Sequence, residues 1–559
     1  MADQVVSAMV ESGAEMALGT MKMVRVGSRR VALVRTSTGF HAVDNACPHE
    51  GYGLVQGSLS GELLTCEWHN WKFDVSDGSC VMGEEAVTSH AVEVVGPDLR
   101  ISVVEPTQSE IRDRARYSLL RGIDSAYNGQ IARDSLRMLH AGADPIDIVW
   151  EAVARCAART EYGFDHAHAM TADCLVALQA LQGDDRLVAV AQAISAMAEE
   201  TVRFPDRPRP MPVSVVPCDG AARYWALIEA EDLDGADALL AGALLAGLSR
   251  DDAVKWMIRP ACDHHLAFGH GAIYTQKAFE LLDFGGWHRA ADVLPHLAYM
   301  HGVSTREDKL PYMRPFMAAV RSSGVLSRWA SPAHADWDSA TLVSVLLGSD
   351  QKAAVQACVA ALDAGSGFVG LLNAVSLAAS ERMIGHDLRF ELQPELNGYN
   401  WLDITHSLTY ANAARWAFDL DPGEHTAMLV MYTVFHVVDG GRYMAGVRSV
   451  AARATLLLDE ALLVGDHVAA TAAAFVEPFD HVADLLVQAS LSDRSGALIV
   501  VAHHVKVARA AIREASATGS RLPLAAAARF LSAPGRQRFV VTSVLRARHF
   551  LTTGTPPPR

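Results

Sequence analysis

The sequence lacks the features of a membrane, secreted or nucleic-acid-binding protein. No run approaches the roughly 18 uninterrupted apolar residues that a membrane helix needs. The N-terminal sequence MADQVVSAMVESGAEM has no basic stretch followed by an apolar one, so no secretory signal is expected. Acidic residues outnumber basic ones, 64 to 48, and the net charge of −16 argues against a phosphate-binding surface. We therefore expect a cytoplasmic protein that binds neither membranes nor nucleic acid.

Cysteines are also scarce, with eight in 559 residues. In a cytoplasmic chain, cysteines that lie close to histidines indicate metal sites rather than disulfides. Half of the residues are hydrophobic and a fifth are charged, which is typical of a globular protein. The length predicts two or three domains rather than one core.

The two parts of the chain differ in their patterns. Residues 20 to about 105 are rich in Val and Thr with Gly at turns, which predicts a small all-β domain. From Ser109 onward, apolar residues recur every three or four positions, which predicts a large all-α region of helical repeats or a bundle. The expected organisation is an N-terminal segment at 1–15, a β domain at 16–108, an all-α domain at 109–550 with a division near 203–217, and a disordered tail at 551–559.

One motif inside the β region predicts a metal centre. Cys47-x-His49 is followed after sixteen residues by Cys66-x-x-His69, so each of two loops supplies one thiol and one imidazole. A Cys2His2 zinc site is the simple alternative, but zinc fingers usually keep the two cysteines together and the two histidines together. The alternation instead suits a Rieske [2Fe–2S] cluster, in which both cysteines bind one iron and both histidines bind the other.

The stretches CPHEGYGL, CEWHNWKFD and DGSC resemble Rieske ferredoxins and the Rieske domains of oxygenases over about residues 16–106. The resemblance implies a [2Fe–2S] cluster held by Cys47, His49, Cys66 and His69. High-potential members carry an extra, disulfide-bonded cysteine in each loop, and this chain has Tyr52 and Trp68 at those places. The resemblance therefore implies the low-potential type, which passes single electrons to another centre.

The helical region repeats one feature. Four apolar helical stretches are predicted to begin at a histidine: His168, His270, His406 and His503. The first three follow an aspartate, which can cap a helix or accept a hydrogen bond from an imidazole. The alternatives include His166 for His168, and His264 or His265 beside His270. His296, His301, His436 and His481 are further candidates.

A second, scattered resemblance covers residues 160–515. HHLAFGHGAIY, DITHSLTYANAARWAF and HHVKVARAAIRE are similar to the questin oxidase-like family of helical non-haem iron oxygenases. The resemblance implies an Fe(II) site with four histidines, here His168, His270, His406 and His503, and a lysine carbamylated by CO2, here Lys506. That family does not normally carry a Rieske domain.

Physical arguments make Lys506 a reasonable ligand. It lies three residues after His503 on the same helix face and is flanked by Val505 and Val507. Burial would lower the pKa of its amine and free it to react with CO2, and the carbamate would supply an anionic oxygen ligand. A solvated lysine is the alternative, and Asp403 is then the candidate carboxylate. We predict Lys506 and His265 as the catalytic residues.

These observations favour a Rieske-fused, O2-dependent non-haem iron oxygenase that acts on a small organic substrate. The resemblance implies that this substrate is aromatic and polyketide-like. Tyr274, Tyr410 and Trp416 are candidates to line its pocket. The GSGFVG stretch at 365–370 follows a helical pattern rather than a strand, so no dinucleotide site is expected and an external reductase or ferredoxin must supply electrons. An electron-transfer protein whose helical domain is a docking scaffold without iron is the alternative. An oligomer is compatible with either.

Overall fold

The computed structural model describes residues 4–334, 336–392, 401–443, 454–533 and 540–554. The chain forms two compact units, residues 1–151 with 183–198 and 539–559, and residues 152–182 with 199–538. A small β structure followed by a large helical region confirms the predicted fold class. Within the described ranges, every helix is too short or too polar to cross a lipid bilayer.

The first unit begins with ten β-strands. Their bounds are β1 Gln4–Val10, β2 Met21–Val26, β3 Arg29–Arg35, β4 Phe40–Asp44, β5 Ser58–Ser60, β6 Leu63–Thr65, β7 Lys72–Asp74, β8 Cys80–Met82, β9 Ser89–Val95 and β10 Asp98–Glu105. They form a six-stranded sheet in the order β1-β10-β9-β4-β3-β2 and a four-stranded sheet in the order β5-β6-β7-β8. The paired neighbours are antiparallel.

Strand β10 shows why these residues form a half-buried sheet. Leu99, Ile101 and Val103 are fully buried, and the residues between them are more exposed. Successive side chains of a strand point to opposite faces, so this alternation directs one face of the sheet into a core. Strand β1 pairs along β10, so part of the predicted N-terminal segment 1–15 belongs to the sheet.

The remaining elements of regular structure are mainly α-helices. Their bounds are α1 Gln108–Asp124, α2 Asn128–His140, α3 Pro145–Cys156, α4 His166–Ala177, α5 Arg186–Thr201, α6 Gly220–Glu229, α7 Leu233–Leu245, α8 Arg250–Asp263, α9 His270–Gly285, α10 Leu294–Val303, α11 Arg314–Ser323, α12 Ala340–Leu346, α13 Gln351–Asp363, α14 Gly367–Ile384, α15 Arg389–Leu392, α16 Trp401–Leu420, α17 Glu424–Asp439, α18 Leu458–Val464, α19 His467–Val476, α20 Phe479–Ser490, α21 Leu498–Thr518, α22 Leu522–Leu531 and α23 Val540–Thr553.

The unit that contains the strands also contains helices α1, α2 and α23, residues 145–151 of α3 and residues 186–198 of α5. Helix α2 packs against α1 and α23. The predicted boundary at residue 109 therefore differs from the observed grouping, because a helical pattern does not reveal which core a helix joins. The predicted tail at 551–559 is partly helical, since α23 continues to Thr553, while residues 555–559 lie outside the described residues.

The second unit is built around four helices. Helix α4 packs on α9 and α21, and α16 packs on the same two helices. Helices α9 and α16 bury most of their residues on all sides, as expected for helices inside a core. Residues 202–219, which contain the predicted Pro-rich division, connect α5 to α6 without an α-helix.

Candidate redox centre and candidate metal site

Two loops of the first unit have the same backbone design. In the first loop the Cys47 amide donates to the Tyr52 carbonyl at 2.8 Å, and in the second the Cys66 amide donates to the Trp71 carbonyl at 2.8 Å. The residue four positions after each cysteine, Gly51 or Asn70, has a positive φ and donates back to the cysteine carbonyl at 2.8 Å. Glycine and asparagine are the residues that adopt this conformation most readily. The sequence thus closes two equivalent loops that present side chains to one centre.

The four predicted ligands of these loops come together. The thiols of Cys47 and Cys66 are hydrogen-bonded, which lowers the pKa of Cys66 to about 7 and raises that of Cys47. The rings of His49 and His69 lie 4.3 Å apart between centroids. Burial lowers the pKa of His49 to about 4, and its Nδ1 atom is buried without a hydrogen-bond partner. A thiol pair and an imidazole pair, with Nδ1 of His49 unsatisfied, fit a [2Fe–2S] cluster.

Comparisons with known proteins agree with this geometry. The Rieske [2Fe-2S] domain family matches residues 7–94. These residues form a Rieske domain. The chain is 41% identical over 61 residues to the alkene monooxygenase ferredoxin component of Xanthobacter autotrophicus, covering 11% of this chain and 50% of that protein. It is 44% identical over 55 residues to the 4beta-methylsterol monooxygenase of Methylococcus capsulatus, covering 10% of this chain and 15% of that protein.

A solved complex of reduced oxygenase and oxidized ferredoxin in carbazole 1,9a-dioxygenase contains a similar chain. That chain is 25% identical and is covered to 95%, but the match takes in 18% of the present chain with a TM-score of 0.17. The present chain spans about half of the Xanthobacter relative and a smaller part of the Methylococcus one. The relatives therefore concern the Rieske domain and leave the helical unit to be argued from its own residues.

Aromatic and charged groups support the two Rieske loops. Tyr52 and Trp68, at the places of the extra cysteines in high-potential members, stack at 5.9 Å between ring centroids. The buried carboxylate of Glu50 accepts hydrogen bonds from the Tyr127 hydroxyl at 2.6 Å and from the Trp68 indole at 3.1 Å. The Tyr127 ring in turn stacks on His49 at 5.5 Å. Tyr127 is the N-cap residue of α2, so the start of this helix fixes the loop from outside the β-sheets.

A second cluster in the helical unit consists of imidazoles from four helices. The Nε2 atom of His270 on α9 lies 3.1 Å from Nε2 of His166 on α4 and 3.1 Å from Nε2 of His406 on α16. The ring of His503 on α21 lies 5.1 Å from the rings of both His166 and His406. The structure therefore brings together three of the predicted histidines, His270, His406 and His503, with His166 as the fourth.

The hydrogen bonds of these rings direct their free nitrogens inward. Nδ1 of His270 donates to the Ala267 carbonyl at 2.5 Å, and Nδ1 of His503 donates to the Ile499 carbonyl at 2.6 Å. A neutral ring that donates from Nδ1 has its lone pair on Nε2. Nε2 of His503 is buried without a hydrogen-bond partner. Burial lowers the pKa of His270 to about 3 and lowers those of the other three histidines well below their usual value, so all four are neutral potential ligands.

The predicted His168 lies elsewhere. Its Nδ1 atom contacts the Asp165 carboxylate at 2.8 Å, and Asp165 caps α4 through the amides of Ala167 and His168. The ring of His168 packs on Phe164 at 4.8 Å. The sequence left His166 as the alternative, because only one residue of the His-x-His pair can face a given side of the helix. The available signal was Asp165, since an N-cap aspartate three residues earlier assigns His168 to a capping box.

His265, predicted as a catalytic residue, belongs to a neighbouring pair. Its Nδ1 atom contacts the Glu307 carboxylate at 2.8 Å, and its Nε2 atom lies 2.9 Å from Nε2 of His436 on α17. Gly269, with φ 89°, leaves room for this pair, because a Cβ atom there would lie 2.8 Å from Nε2 of His436. His436 was only a secondary candidate from the sequence, and nothing in the spacing links it to His265.

The other sequence candidates have different surroundings. His264 contacts the carboxylates of Glu229 and Asp308, and Asp403 is half-buried on α16 one turn before His406. Helices α4 and α9 begin at a histidine, but α16 begins at Trp401 and α21 at Leu498. Of the four predicted starts, only His270 begins its helix, because α4 begins at His166, two residues before the predicted His168.

Lys506 is buried beside the histidine cluster. Its side chain is 1% exposed, and its Nζ atom has no hydrogen-bond partner and lies 6.0 Å from the centre of the Tyr274 ring. Burial lowers the pKa of the amine to about 7. Its positive charge lowers the pKa of all four clustered histidines. The hydroxyl of Tyr274 contacts Nδ1 of His166 at 2.9 Å, so Tyr274 lies between Lys506 and the His166 ring.

The donor set suits Fe(II). Neutral imidazoles bind Fe(II) well, and an anionic oxygen ligand would offset part of the charge of the metal. Within the described ranges, no three His, Cys, Asp or Glu side chains form a ready-made metal site, and that applies equally to the Rieske loops. The thiols of Cys47 and Cys66 contact each other, and Nε2 of His270 contacts Nε2 of His166 and of His406, so metal binding requires these side chains to separate slightly.

Proposed function

We propose that the chain is an O2-dependent oxidoreductase with two redox centres. The Rieske cluster would be held by Cys47, His49, Cys66 and His69, with an external reductase or ferredoxin as the source of electrons. A mononuclear iron would be held by the four clustered histidines His166, His270, His406 and His503 and would be the acceptor of those electrons. The observation that supports this proposal is the meeting of four neutral imidazoles from four helices next to an unpaired buried lysine.

The two groups have different chemical parts in this proposal. The cluster supplies single electrons, and iron at the histidine site supplies the capacity to activate O2. The protein residues fix the ligand geometry. The Ala267 and Ile499 carbonyls hold His270 and His503 in one tautomer, and the Tyr274 hydroxyl orients His166. Such outer hydrogen bonds keep the ligand rings in place when the metal binds.

Lys506 provides the anionic ligand in the proposed site. An amine with a pKa of about 7 is substantially unprotonated at neutral pH. Its nitrogen forms a bond to the carbon of CO2 and loses one proton, which gives a carbamate with two oxygens and one negative charge. A protonated lysine beside a cation would be strongly unfavourable in a buried site. The carbamate removes that repulsion and completes the ligand set.

The substrate is proposed to be a small organic molecule, aromatic and polyketide-like by resemblance to the questin oxidase-like family. Two of the three predicted pocket aromatics lie beside the imidazoles. The ring of Tyr274 lies 4.8 Å from that of His270, and the ring of Tyr410 lies 5.1 Å from that of His436. Trp416 packs at 6.1 Å on Phe279 instead. Tyr274 and Tyr410 are therefore the residues that we expect to contact the substrate.

Metal and sulfide analysis tests the proposal. The purified chain should contain about three irons and about two acid-labile sulfides, because a Rieske cluster accounts for two of each. In His406→Ala the iron content should fall to about two while the sulfide content stays the same. A wild-type chain with two irons and two sulfides would instead support the alternative, an electron-transfer protein whose helical unit is a docking scaffold.

A further inference from the structure

The two histidines of the Rieske loops differ in their access to solvent. The ring of His49 is half-buried, and two aromatic rings stack on it, Trp71 at 4.7 Å and Tyr127 at 5.5 Å between ring centroids. His69 is exposed. Electron transfer slows steeply with distance, so an external protein comes closest to the cluster at the edge of His69.

A groove open to solvent lies beside these rings. Asn70 and Met82 line it from the β-sheet side, and Arg121 and Asp124 line it from the C-terminal end of α1. Helix α1 follows the Rieske domain in the chain, so this wall of the groove does not come from the domain itself. The surface around His69 is therefore shaped by residues particular to this chain.

Apolar side chains are exposed on this surface. Met82 is 52% exposed, and its sulfur atom lies 3.8 Å from Nδ2 of Asn70, the residue after His69. Trp68, the residue before His69, is 36% exposed. Methionine and aromatic side chains are enriched at the centres of protein–protein interfaces. Their exposure on both sides of a cluster ligand indicates a docking surface for a protein.

The charged side chains around this surface are mainly acidic. Four carboxylates border it: Glu67, Glu84, Glu85 and Asp124. Three basic side chains lie near them and each contacts a partner: Arg121 pairs with Glu84, Arg133 pairs with Asp134, and Lys72 donates to Oδ1 of Asn70 at 2.9 Å. The surface thus carries more negative than positive charge. Such a surface attracts a partner of the opposite charge and steers its approach.

We infer that a basic one-electron carrier protein docks on this surface, with its redox group against the exposed edge of His69. The reduced carrier loses one electron, and the cluster gains it. The inference rests on the proposed role of the cluster as the acceptor of external electrons, and it adds the place of docking and the charge of the donor. It does not require iron in the helical unit.

Calorimetric titration with ferric cytochrome c, a small basic electron carrier, tests the docking. The full chain is kept oxidised, so binding is measured without electron transfer. Binding should be detectable at low ionic strength and should weaken as salt is added, because salt screens exposed charges. Met82→Lys should weaken binding roughly three- to tenfold, since it places a cation at the centre of the surface.

Met23→Lys is the matched control for this variant. Met23 lies on β2 and is 46% exposed, close to the 52% of Met82, so both variants add one exposed cation to a strand. Met23→Lys should bind cytochrome c as the wild type does. Equal weakening in the two variants would show that only the net charge of the chain matters, and it would overturn the inference. No binding at low ionic strength would overturn it as well.

A second pair of variants tests the acidic border independently. Glu67 and Glu11 are both exposed, and Glu11 lies outside the groove. Glu67→Lys should weaken binding, whereas Glu11→Lys, with the same change of charge, should not. Self-association of the chain that Met82→Lys abolishes would assign the surface to a second copy instead and overturn the inference. The Rieske EPR signal of the same samples reports the cluster separately, so failure of docking is distinguishable from failure of the proposed redox centre.

Discussion

The guanidinium of Arg133 donates through Nη1 to the backbone carbonyl of His49, a ligand residue of the Rieske cluster. The same Nη1 atom donates to the Pro48 carbonyl. Arg133 is 2% exposed and forms a two-point ion pair with Asp134, with Nε to Oδ1 at 2.8 Å and Nη2 to Oδ2 at 2.5 Å. Helix α2 thus places the ion pair of Arg133 and Asp134 against the first ligand loop.

We predict that Arg133→Met lowers the reduction potential of the cluster. The reduced cluster carries one more negative charge, and the variant removes a nearby cation while Asp134 stays. Coulomb's law with an effective dielectric constant near 20 gives a shift on the order of tens of millivolts. Redox titration followed by EPR measures the potential.

Two further variants make this test specific. Arg116 lies on the exposed face of α1 and pairs with Glu151, so Arg116→Met removes a cation that does not contact the loop. Its potential should equal that of the wild type. The double variant Arg133→Met/Asp134→Asn removes both charges and should recover part of the shift. Equal potentials in Arg133→Met and Arg116→Met would contradict the positioning role of Arg133.

We predict that Cys66→Ser abolishes the Rieske EPR and visible signals, because the cluster loses a thiolate that bridges protein and iron. Cys80→Ser is the matched control. Cys80 lies in β8 of the four-stranded sheet, is half-buried, and is outside both ligand loops. The control should keep the signals. Circular dichroism should show unchanged helix content in both variants, and an unaltered Rieske spectrum in Cys66→Ser would refute its assignment as a ligand.

The Rieske domain could be predicted from the sequence because its ligands lie within two short loops. The spacing of Cys47 and His49, and of Cys66 and His69, is fixed by local backbone hydrogen bonds, so the motif specifies the geometry almost completely. The hydrogen bonds from Arg133 to the loop that contains Cys47 and His49 could not be predicted. Helical periodicity shows which face of α2 is apolar, but it does not show that this face packs on a β domain.

The histidine cluster was predictable only in part. His406 lies 136 residues after His270 and His503 lies 97 residues after His406, and the resemblance rather than the periodicity grouped them. The choice of His168 over His166 failed to match the structure because Asp165 caps α4 through His168. The contact of His265 with His436 depends on how α17 packs near α8, which no local pattern records. That these side chains bind iron stays a prediction.

We predict that His166→Ala and His168→Ala have different consequences. His166→Ala should lower the iron content from about three to about two, because it removes a ligand of the mononuclear site. His168→Ala should keep about three irons. It should lower the melting temperature instead, because it removes a buried ring that contacts the Asp165 carboxylate and packs on Phe164, while the Asp165 cap on the backbone amides remains. Metal analysis and thermal unfolding of both variants check this, and loss of iron in His168→Ala alone would reverse the assignment.

The last prediction concerns the buried amine of Lys506. Lys506→Met keeps the apolar stem of the side chain but removes the amine, so it should lose the third iron and the oxygenase activity. Lys506→Glu should recover part of the iron, because it returns carboxylate oxygens near the same place. Wild-type iron content in Lys506→Met, or a density map in which Asp403 binds the iron instead, would refute the carbamate.

The dependence of iron loading on pH and CO2 distinguishes a carbamate from a neutral lysine. Only the unprotonated amine reacts with CO2, and burial lowers the pKa of Lys506 to about 7. Because the folded-state pKa lies below the usual value for lysine, the free amine predominates above pH 7 and is lost as the pH falls through 7. At a fixed concentration of dissolved CO2, reconstitution of the metal-depleted wild type with Fe(II) should therefore increase between pH 6 and pH 8, by about tenfold at most if the amine fraction alone is limiting. Lys506→Glu should show no dependence on CO2. Equal loading of the wild type with and without CO2 across this range would show that Lys506 acts as a free amine or not at all.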